Sequence, residues 1–537
     1  MAKVLVNDIE IEIGEDERLN GIEAAQRAGF EVPRFCWHPG LSVAASCRMC
    51  LLETGQRDPG TGEISMLPKL VPGCQTPAKD GTVFVTESER VHQARAQVEE
   101  ALLINHPIDC PICDKAGECS LQDYHFQHGQ LQRRADIQPF TSRRRPLGDT
   151  VTLFVDRCVM CTRCVRFCRE ISGTNELMVR DRGSKEEIDV FPGFPLENKM
   201  SGNVVDLCPV GALGDKDFLY SQRVWFMKNQ PGVCDGCSTG CSIYIDENQD
   251  RIYRLRPREN PDVNSWWICD EGRYGFKHVH DERRQTQPIH REDGQDVNVQ
   301  WSDVGSQLDR ELRQADRLAA LVSPHLTVEE AYLLIQYLRQ IDPDVLLGLG
   351  PIPVVGKDEG FPGGFAIHAE KCPNRRGVEE VLKSGQGELL DFSQWLQRLE
   401  SDLPDAVWIS GGYKSDWIDE AQAESILRVP LVIVQDLFPS PLGQLATYRL
   451  PGAAFAERAG SYVNVNHHLQ GFDWAIRPPV GVLTEGQLYW RLLGRSGLYD
   501  ATEILAEISR DISYFSAAVP PLPAGGVDLT NNLVAGV

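Results

Sequence analysis

Cysteine is the residue type through which this sequence can do chemistry. There are 17, and all but Cys372 fall before residue 270, in tight CxxC-type groups. Vicinal cysteines of this kind rarely form structural disulfides in a reducing compartment, but they readily form metal sites. Counting divides them into four sets. The first is Cys36-x10-Cys47-x2-Cys50-x23-Cys74, the four thiolates that a [2Fe–2S] cluster takes. Structural zinc also takes four cysteines, usually as two CxxC pairs, and only one such pair is present here. The second is His106-x3-Cys110-x2-Cys113-x5-Cys119. A cubane needs a ligand on each of four irons, so three cysteines require a fourth donor, and a neutral imidazole can supply it. His106 could instead sit against the carbonyl dipole at the end of the preceding helix; the three unpaired cysteines beside it favour ligation.

The third set is the tight triple Cys158-x2-Cys161-x2-Cys164, typical of ferredoxin-like [4Fe–4S] sites. Two residues compete for the fourth place: Cys168 is local but followed by Arg169, and Cys208 is distant but followed by Pro209. In ferredoxin runs the local fourth cysteine serves a different cluster. The expected ligand is therefore Cys208, with Cys168 a small buried hydrophobe. The fourth set, Cys234-x2-Cys237-x3-Cys241-x27-Cys269, is a self-contained [4Fe–4S] pattern. Fifteen cysteines and one histidine then supply sixteen ligands for four clusters, leaving Cys168 and Cys372 over. Four oxidised clusters add roughly −7 of formal charge. Arg48, Arg163 and Arg166 stand near enough in sequence to offset part of it, although a solvated surface charge is the ordinary fate of each.

The elements that must position these ligands are short. Residues 3–13 alternate as strand, Leu19–Gly29 reads as a helix and Thr82–Thr86 as a further strand, the outline of a small β-grasp domain with cysteines in its loops. A helix over 90–104 stops at His106-Pro107. From there to about 220, Gly, Pro and Cys recur too often for long elements. Beyond about 295, helical stretches at 303–316 and 327–340 alternate with apolar runs at 318–322, 345–349, 406–410 and 431–434, which reads as βα units on a parallel sheet. Residues 519–537 read as a loose tail. The formal charge of −23 excludes an electrostatic case for nucleic acid or anionic lipid. No apolar run reaches the length of a membrane span, no secretory signal is present, and neither G-x-G-x-x-G after a strand nor a Walker A motif occurs. A soluble cytoplasmic protein that binds no NADH itself is expected.

The strings PRFCWHPGLSVAASCRMC, NHPIDCPICDKAGECSLQD, DRCVMCTRCVRFCREI and DLCPVGAL closely resemble the iron–sulfur G subunit (75 kDa-type subunit) of respiratory complex I, NADH:quinone oxidoreductase. The resemblance is dense over residues 1–280. It implies the same three ligand sets, with the Cys234 set as the additional cubane of some bacterial members, off the main electron route. The later strings KCPNRRGVEEVL and FAERAGSYVNVNHHLQ look like a molybdopterin-oxidoreductase-type domain, shorter than in many relatives and without a final β-barrel-type domain. The expected fold is α+β and multi-domain. Residues 1–89 form a β-grasp [2Fe–2S] ferredoxin-like domain and 90–220 a two-cluster [4Fe–4S] region. Residues 221–285 form an additional [4Fe–4S] domain, 286–520 an α/β molybdopterin-oxidoreductase-like domain without cofactor, and 521–537 a flexible tail. By the same resemblance, the function is electron transfer from a partner that carries FMN and oxidises NADH, through these clusters, toward quinone. The implied partners are that subunit, a small [2Fe–2S] subunit, a ferredoxin-like subunit with two [4Fe–4S] clusters and the quinone module, on the cytoplasmic face of a bacterial inner membrane. No FMN, NAD or molybdopterin is expected on this chain, and no catalytic acid or base.

Three rival readings remain. One is the iron–sulfur subunit of an NAD-linked hydrogenase or formate dehydrogenase, which shares the first three clusters. Another is a molybdenum formate dehydrogenase catalytic subunit; against it, Asp270 and Glu271 follow Cys269 where a lysine is characteristic, and Cys372 reads as a surface loop residue. The third is a zinc scaffold. His467 and His468 read as solvent-facing, and Arg143-Arg144-Arg145 as a solvated run.

Overall fold

The computed structural model describes residues 1–132, 134–141, 143–386 and 389–531. The chain forms two compact units, one of Met1–Met227 with Phe361–Gly364, the other beginning at Lys228.

In the first unit, the alternating N-terminal stretch folds as a hairpin, Ala2–Val6 against Ile9–Ile13, through Asn7 and Asp8 at φ of 45 and 71°. Both φ values are positive, as a tight two-residue hairpin turn requires, and Asn and Asp tolerate that region. The alternation puts Val4, Val6, Ile11 and Ile13 inward. Ala2–Val6 pairs in parallel with Thr82–Val85, which pairs antiparallel with Leu51–Arg57. Helix Gly21–Arg27 carries a capping box, in which Asn20 accepts from the Ile22 and Glu23 amides while the Glu23 carboxylate accepts from the Asn20 amide. This is the β-grasp arrangement expected. Helix Glu89–Leu103 follows, and from there to residue 227 the longest helices are Ser120–His128 and Arg163–Glu170. Loops dominate that region because the cysteines are carried on turns.

The second unit opens with an antiparallel sheet, Lys228–Val233, Ser242–Asn248 and Arg251–Pro257. Its main sheet has seven strands, in the order Gln295–Asn298, Ile289–Glu292, Tyr448–Pro451, Leu431–Asp436, Ala406–Ser410, Leu318–Val322, Leu346–Leu349. The last five are mutually parallel, as the alternation of helical and apolar segments implies. Helix Val328–Ile341 starts at a Thr327/Glu330 capping box and is buried along most of its length. Trp395 packs fully buried against the sheet, and Trp408, on strand Ala406–Ser410, is fully buried too.

The C-terminal stretch departs from the expected loose tail. Val527–Asp528 pairs with His468 and Leu469, Leu529 is fully buried, and the Gly525 carbonyl accepts a hydrogen bond from Asn260 Nδ2 at 2.9 Å. Its Pro- and Gly-rich composition conceals two apolar side chains that reach the core. Residues 532–537 lie outside the described residues.

Gly348 tests the packing of the parallel sheet. A Cβ there would stand 2.4 Å from Trp395 Cγ, so Gly348→Ala should destabilise the second unit by about 1–3 kcal/mol. Urea unfolding followed by tryptophan fluorescence checks this.

Candidate functional site

The first set of cysteines lies in the β-grasp loops. Cys36, Cys47 and Cys50 fall between helix Gly21–Arg27 and strand Leu51–Arg57, and Cys74 sits in a short turn whose Gly73 amide donates to the Cys50 carbonyl at 2.9 Å. The four converge: Cys36 faces Cys47 and Cys74, and Cys74 faces Cys50. Cys36, Cys50 and Cys74 are almost fully buried. Ala45 and Arg48 are left-handed, at φ of 50 and 60°, and in this reversal of the loop the amides of Ser46 and Cys47 donate to the Cys36 sulfur. Successive amides turned to one point form the anion-binding concavity that suits cluster sulfur.

The third set uses the same device. Met160 and Thr162 are left-handed, at φ of 48 and 60°, and the Met160 amide lies 3.4 Å from Cys158 Sγ. Cys158, Cys161, Cys164 and Cys208 line one cavity of about 20 Å³. Cys168, buried on helix Arg163–Glu170, does not line it; its thiol meets the Leu177 amide, with Glu176 nearby. Burial pushes the Cys161 thiol up to about 11 and raises Cys158 and Cys164 further. Arg163 and Arg166, which sequence alone allowed as surface charges, are drawn inward instead: Arg166 is buried, and the half-buried Arg163 donates to the Trp37 carbonyl at 2.6 Å and the Leu207 carbonyl at 3.2 Å. Arg48 does remain exposed.

The second set is nearer the surface. His106, Cys110 and Cys119 line an apolar groove of about 330 Å³ flanked by the exposed Ile108, Phe126 and Leu131. Cys113 is turned toward Gly211, where a Cβ would fall 2.2 Å from its sulfur. The two sets are knitted through this segment: the Ser120 amide, next to Cys119, donates to the Pro209 carbonyl, next to Cys208, at 2.9 Å. Arg157, 3% exposed, pairs with Asp109 at 3.0 Å. Burial, and then Arg157, lower the His106 imidazole to about 4, so it is neutral and able to donate a lone pair at ordinary pH. It makes no hydrogen bond to the end of helix Glu89–Leu103 among the described residues; the helix is closed by the Ile104 amide on the Glu100 carbonyl.

The fourth set lies in the second unit. Cys234 and Cys241 end facing strands, with the Cys234 amide donating to the Cys241 carbonyl at 2.8 Å, and Cys269 opens helix Asp270–Tyr274. Gly272 lets two thiols close in: a Cβ there would be 3.0 Å from Cys234 Sγ and 3.5 Å from Cys269 Sγ. The Gly236 and Gly272 amides lie 3.4 and 3.3 Å from the sulfurs of Cys234 and Cys269. All four cysteines are buried, and burial pushes Cys269 up to about 12. Beside them Lys414 Nζ lies 2.7 Å from Asp235 Oδ1, and Lys371 pairs with Glu271 at 2.6 Å. The cations that the acidic 270–271 step lacks arrive from elsewhere in the fold. Lys414 carries no motif that sequence could have flagged.

Other readings change with the fold. His468 is buried with Nε2 2.7 Å from the Gly525 carbonyl, and His467 Nδ1 lies 2.7 Å from the Tyr514 hydroxyl; neither simply faces solvent. Cys372 is fully buried near Glu370, not in a surface loop. Arg143 and Arg144 do stay exposed, as a solvated run would, although Arg143 and Arg145 also form ion pairs with Asp156, Glu187 and Asp189.

Thiols grouped in threes and fours, most of them buried or partly buried, with backbone amides aimed at several of the sulfurs and a neutral imidazole beside one set, are the kind of donors that iron–sulfur clusters take. These sites and the folds around them are those of an iron–sulfur protein. Family models agree along the chain: a 2Fe-2S iron-sulfur cluster binding domain over residues 1–89, the NADH-ubiquinone oxidoreductase-G iron-sulfur binding region over 95–134, and the NADH-quinone oxidoreductase subunit 3 ferredoxin-like domain over 148–214. The molybdopterin oxidoreductase Fe4S4 domain matches 227–281 and the molybdopterin oxidoreductase family 375–482. The G subunit of the NADH-quinone oxidoreductase of Rickettsia felis is 33% identical over 343 residues, covering 64% of this chain and 49% of its own. That of Streptomyces coelicolor is 36% identical over 325 residues, 59% of this chain and 37% of its own. The mitochondrial NADH dehydrogenase [ubiquinone] iron-sulfur protein 1 of Solanum tuberosum is 38% identical over 283 residues, 53% of this chain and 37% of its own. A chain of a solved NAD+-reducing [NiFe]-hydrogenase has 25% identity and a TM-score of 0.34, over 42% of this chain and 91% of that one. Over the matched residues the chain is similar to the G subunits of NADH-quinone oxidoreductases, as its motifs suggested, and it spans about half the length of the curated relatives it matches.

Gly211 offers a selective test of the second site. Gly211→Ala drives a methyl into Cys113, so iron should fall by about four per chain while the spectrum of the [2Fe–2S] site is retained; iron analysis with EPR reads both.

Proposed function

We propose that the chain conducts electrons within an NADH-quinone oxidoreductase. Its route runs through one [2Fe–2S] cluster on Cys36, Cys47, Cys50 and Cys74, a [4Fe–4S] cluster on Cys158, Cys161, Cys164 and Cys208, and a [4Fe–4S] cluster on His106, Cys110, Cys113 and Cys119. A further [4Fe–4S] cluster is assigned to Cys234, Cys237, Cys241 and Cys269, off that route. The observation that carries the reading is the shared backbone between sites. The segment 208–211 bears Cys208, accepts from the amide beside Cys119 and leaves room for Cys113, so two sites are held at close, fixed separation. Bound clusters supply one-electron acceptance and release; the protein's own part is to hold the donors, keep the sulfurs dry and aim amides at them. The apolar groove beside His106 and the exposed Cys110 suit a docking partner of ferredoxin type. The FMN-bearing, NADH-oxidising subunit, the small [2Fe–2S] subunit and the quinone module complete the proposed complex. No described helix is long and apolar enough to cross a membrane, in keeping with peripheral attachment on the cytoplasmic face.

The switch point of the second unit's main sheet suits a molybdopterin poorly. In open α/β sheets, ligands bind where the strand order reverses, here between the ends of Leu318–Val322 and Ala406–Ser410. That crevice is filled. The Tyr413 hydroxyl donates to the Pro351 carbonyl at 3.0 Å, its ring meets His325 and Trp417 at 5.0 Å each, and buried Asp436 accepts from the Gly412 amide and Trp417 Nε1. We assign this region a structural role around the Cys234 site.

His106→Cys should retain its cluster with a lower midpoint potential, because a thiolate adds negative charge and favours the oxidised state. Potentiometric EPR tests it: an unchanged potential and spectrum would remove His106 from the ligand set. Stoichiometric molybdenum or tungsten in the purified protein would refute the structural reading of the second unit.

A further inference from the structure

Helix Arg163–Glu170 begins between two ligands of the third site and carries two inward-turned guanidinium groups, that of Arg166 buried and that of Arg163 half-buried. Arg166, 5% exposed, donates to the Cys36 and Ser42 carbonyls in the first site's loop, and to the Cys161 carbonyl, at 3.3 Å, in the third. Arg163 repeats the pattern one turn earlier: its fork spans the Trp37 carbonyl, next to Cys36, and the Leu207 carbonyl, next to Cys208. Among the described residues neither pairs with a carboxylate, and the Nε of each has no acceptor. A buried cation without a counter-charge is strongly unfavourable, and hydrogen bonds to carbonyls satisfy donors without neutralising charge. The anions that would balance these two are the sulfurs of the sites they join.

We propose that Arg166, with Arg163 as a second strut, couples the first and third cluster sites: it fixes the two ligand loops against each other and gives both clusters one shared positive charge. The proposal rests on the ligand assignment above. A guanidinium suits the task because its planar fork donates in two directions at once, which a lysine ammonium on a flexible stem does less well. Lying between the two sites, its charge favours the reduced form of both, and its hydrogen bonds set the separation an electron must cross.

The test is an EPR-monitored redox titration of the full-length protein and its Arg166→Met and Arg166→Lys variants, with the Cys234-site signal as internal reference. Arg166→Met should lower the potentials of the first and third sites together, leave the Cys234 site unshifted, and weaken the magnetic coupling between the two reduced clusters. Arg166→Lys keeps charge but gives up the fork, and should shift both potentials in the same direction by less. If Arg166→Met loses a cluster, Arg166→Lys decides. Unshifted potentials in the variants, or a shift at only one of the two sites, would show a loop anchor and overturn the proposal. Absence of the two signals from the unsubstituted protein would overturn the ligand assignment itself, and this proposal with it.

Discussion

A sulfur that must carry negative charge inside a protein has to be paired with something positive, and much of this structure answers that requirement. Desolvation alone drives the buried thiols toward their protonated forms, as at Cys161, Cys164, Cys234 and Cys269. Three kinds of compensation stand around them. Irons would supply most. Amides from left-handed turns or from glycine, at Met160, Gly236 and Gly272, supply more. Fixed cations complete the set in the first unit, Arg163 and Arg166, whereas in the second Lys414 and Lys371 are each paired with a carboxylate, Asp235 and Glu271. Loops dominate the first unit because only turns can bring four thiols and several amides to one point.

The grouping of the cysteines is legible in the sequence, because cluster ligation imposes a local geometry that recurs as CxxC steps. The parallel sheet is legible too, since strands buried on both faces must read as continuous apolar runs. Less legible are the compensating charges. Proximity in sequence names Arg166 for the third set but not its reach to the Cys36 loop, and Lys414 stands beside a set far away in sequence. The C-terminal stretch hides its docking for a different reason. Pairing at Val527–Asp528 and the burial of Leu529 need only two apolar residues, too few to show a period.

The two units treat the same chemistry differently. In the first, neighbouring sites share backbone, so their separations are set by hydrogen bonds such as Ser120 to Pro209. In the second, one buried set of cysteines stands with a sheet whose ligand-binding crevice is occupied by Tyr413, His325 and Trp417. There Tyr413 stacks on Trp417, meets His325 edge-on and donates to the Pro351 carbonyl, so these side chains pack as core.

The central claim is that sixteen side chains hold four clusters of two kinds. Mössbauer spectroscopy of the intact protein grown on isotopically enriched iron, with iron counted per chain, tests it most directly. The account predicts about fourteen irons, two of them in a [2Fe–2S] environment and about twelve in [4Fe–4S] environments, with one cubane iron distinguished by a nitrogen ligand. A count near ten, zinc in place of iron at any set, or cubane irons that all carry sulfur ligands would contradict it.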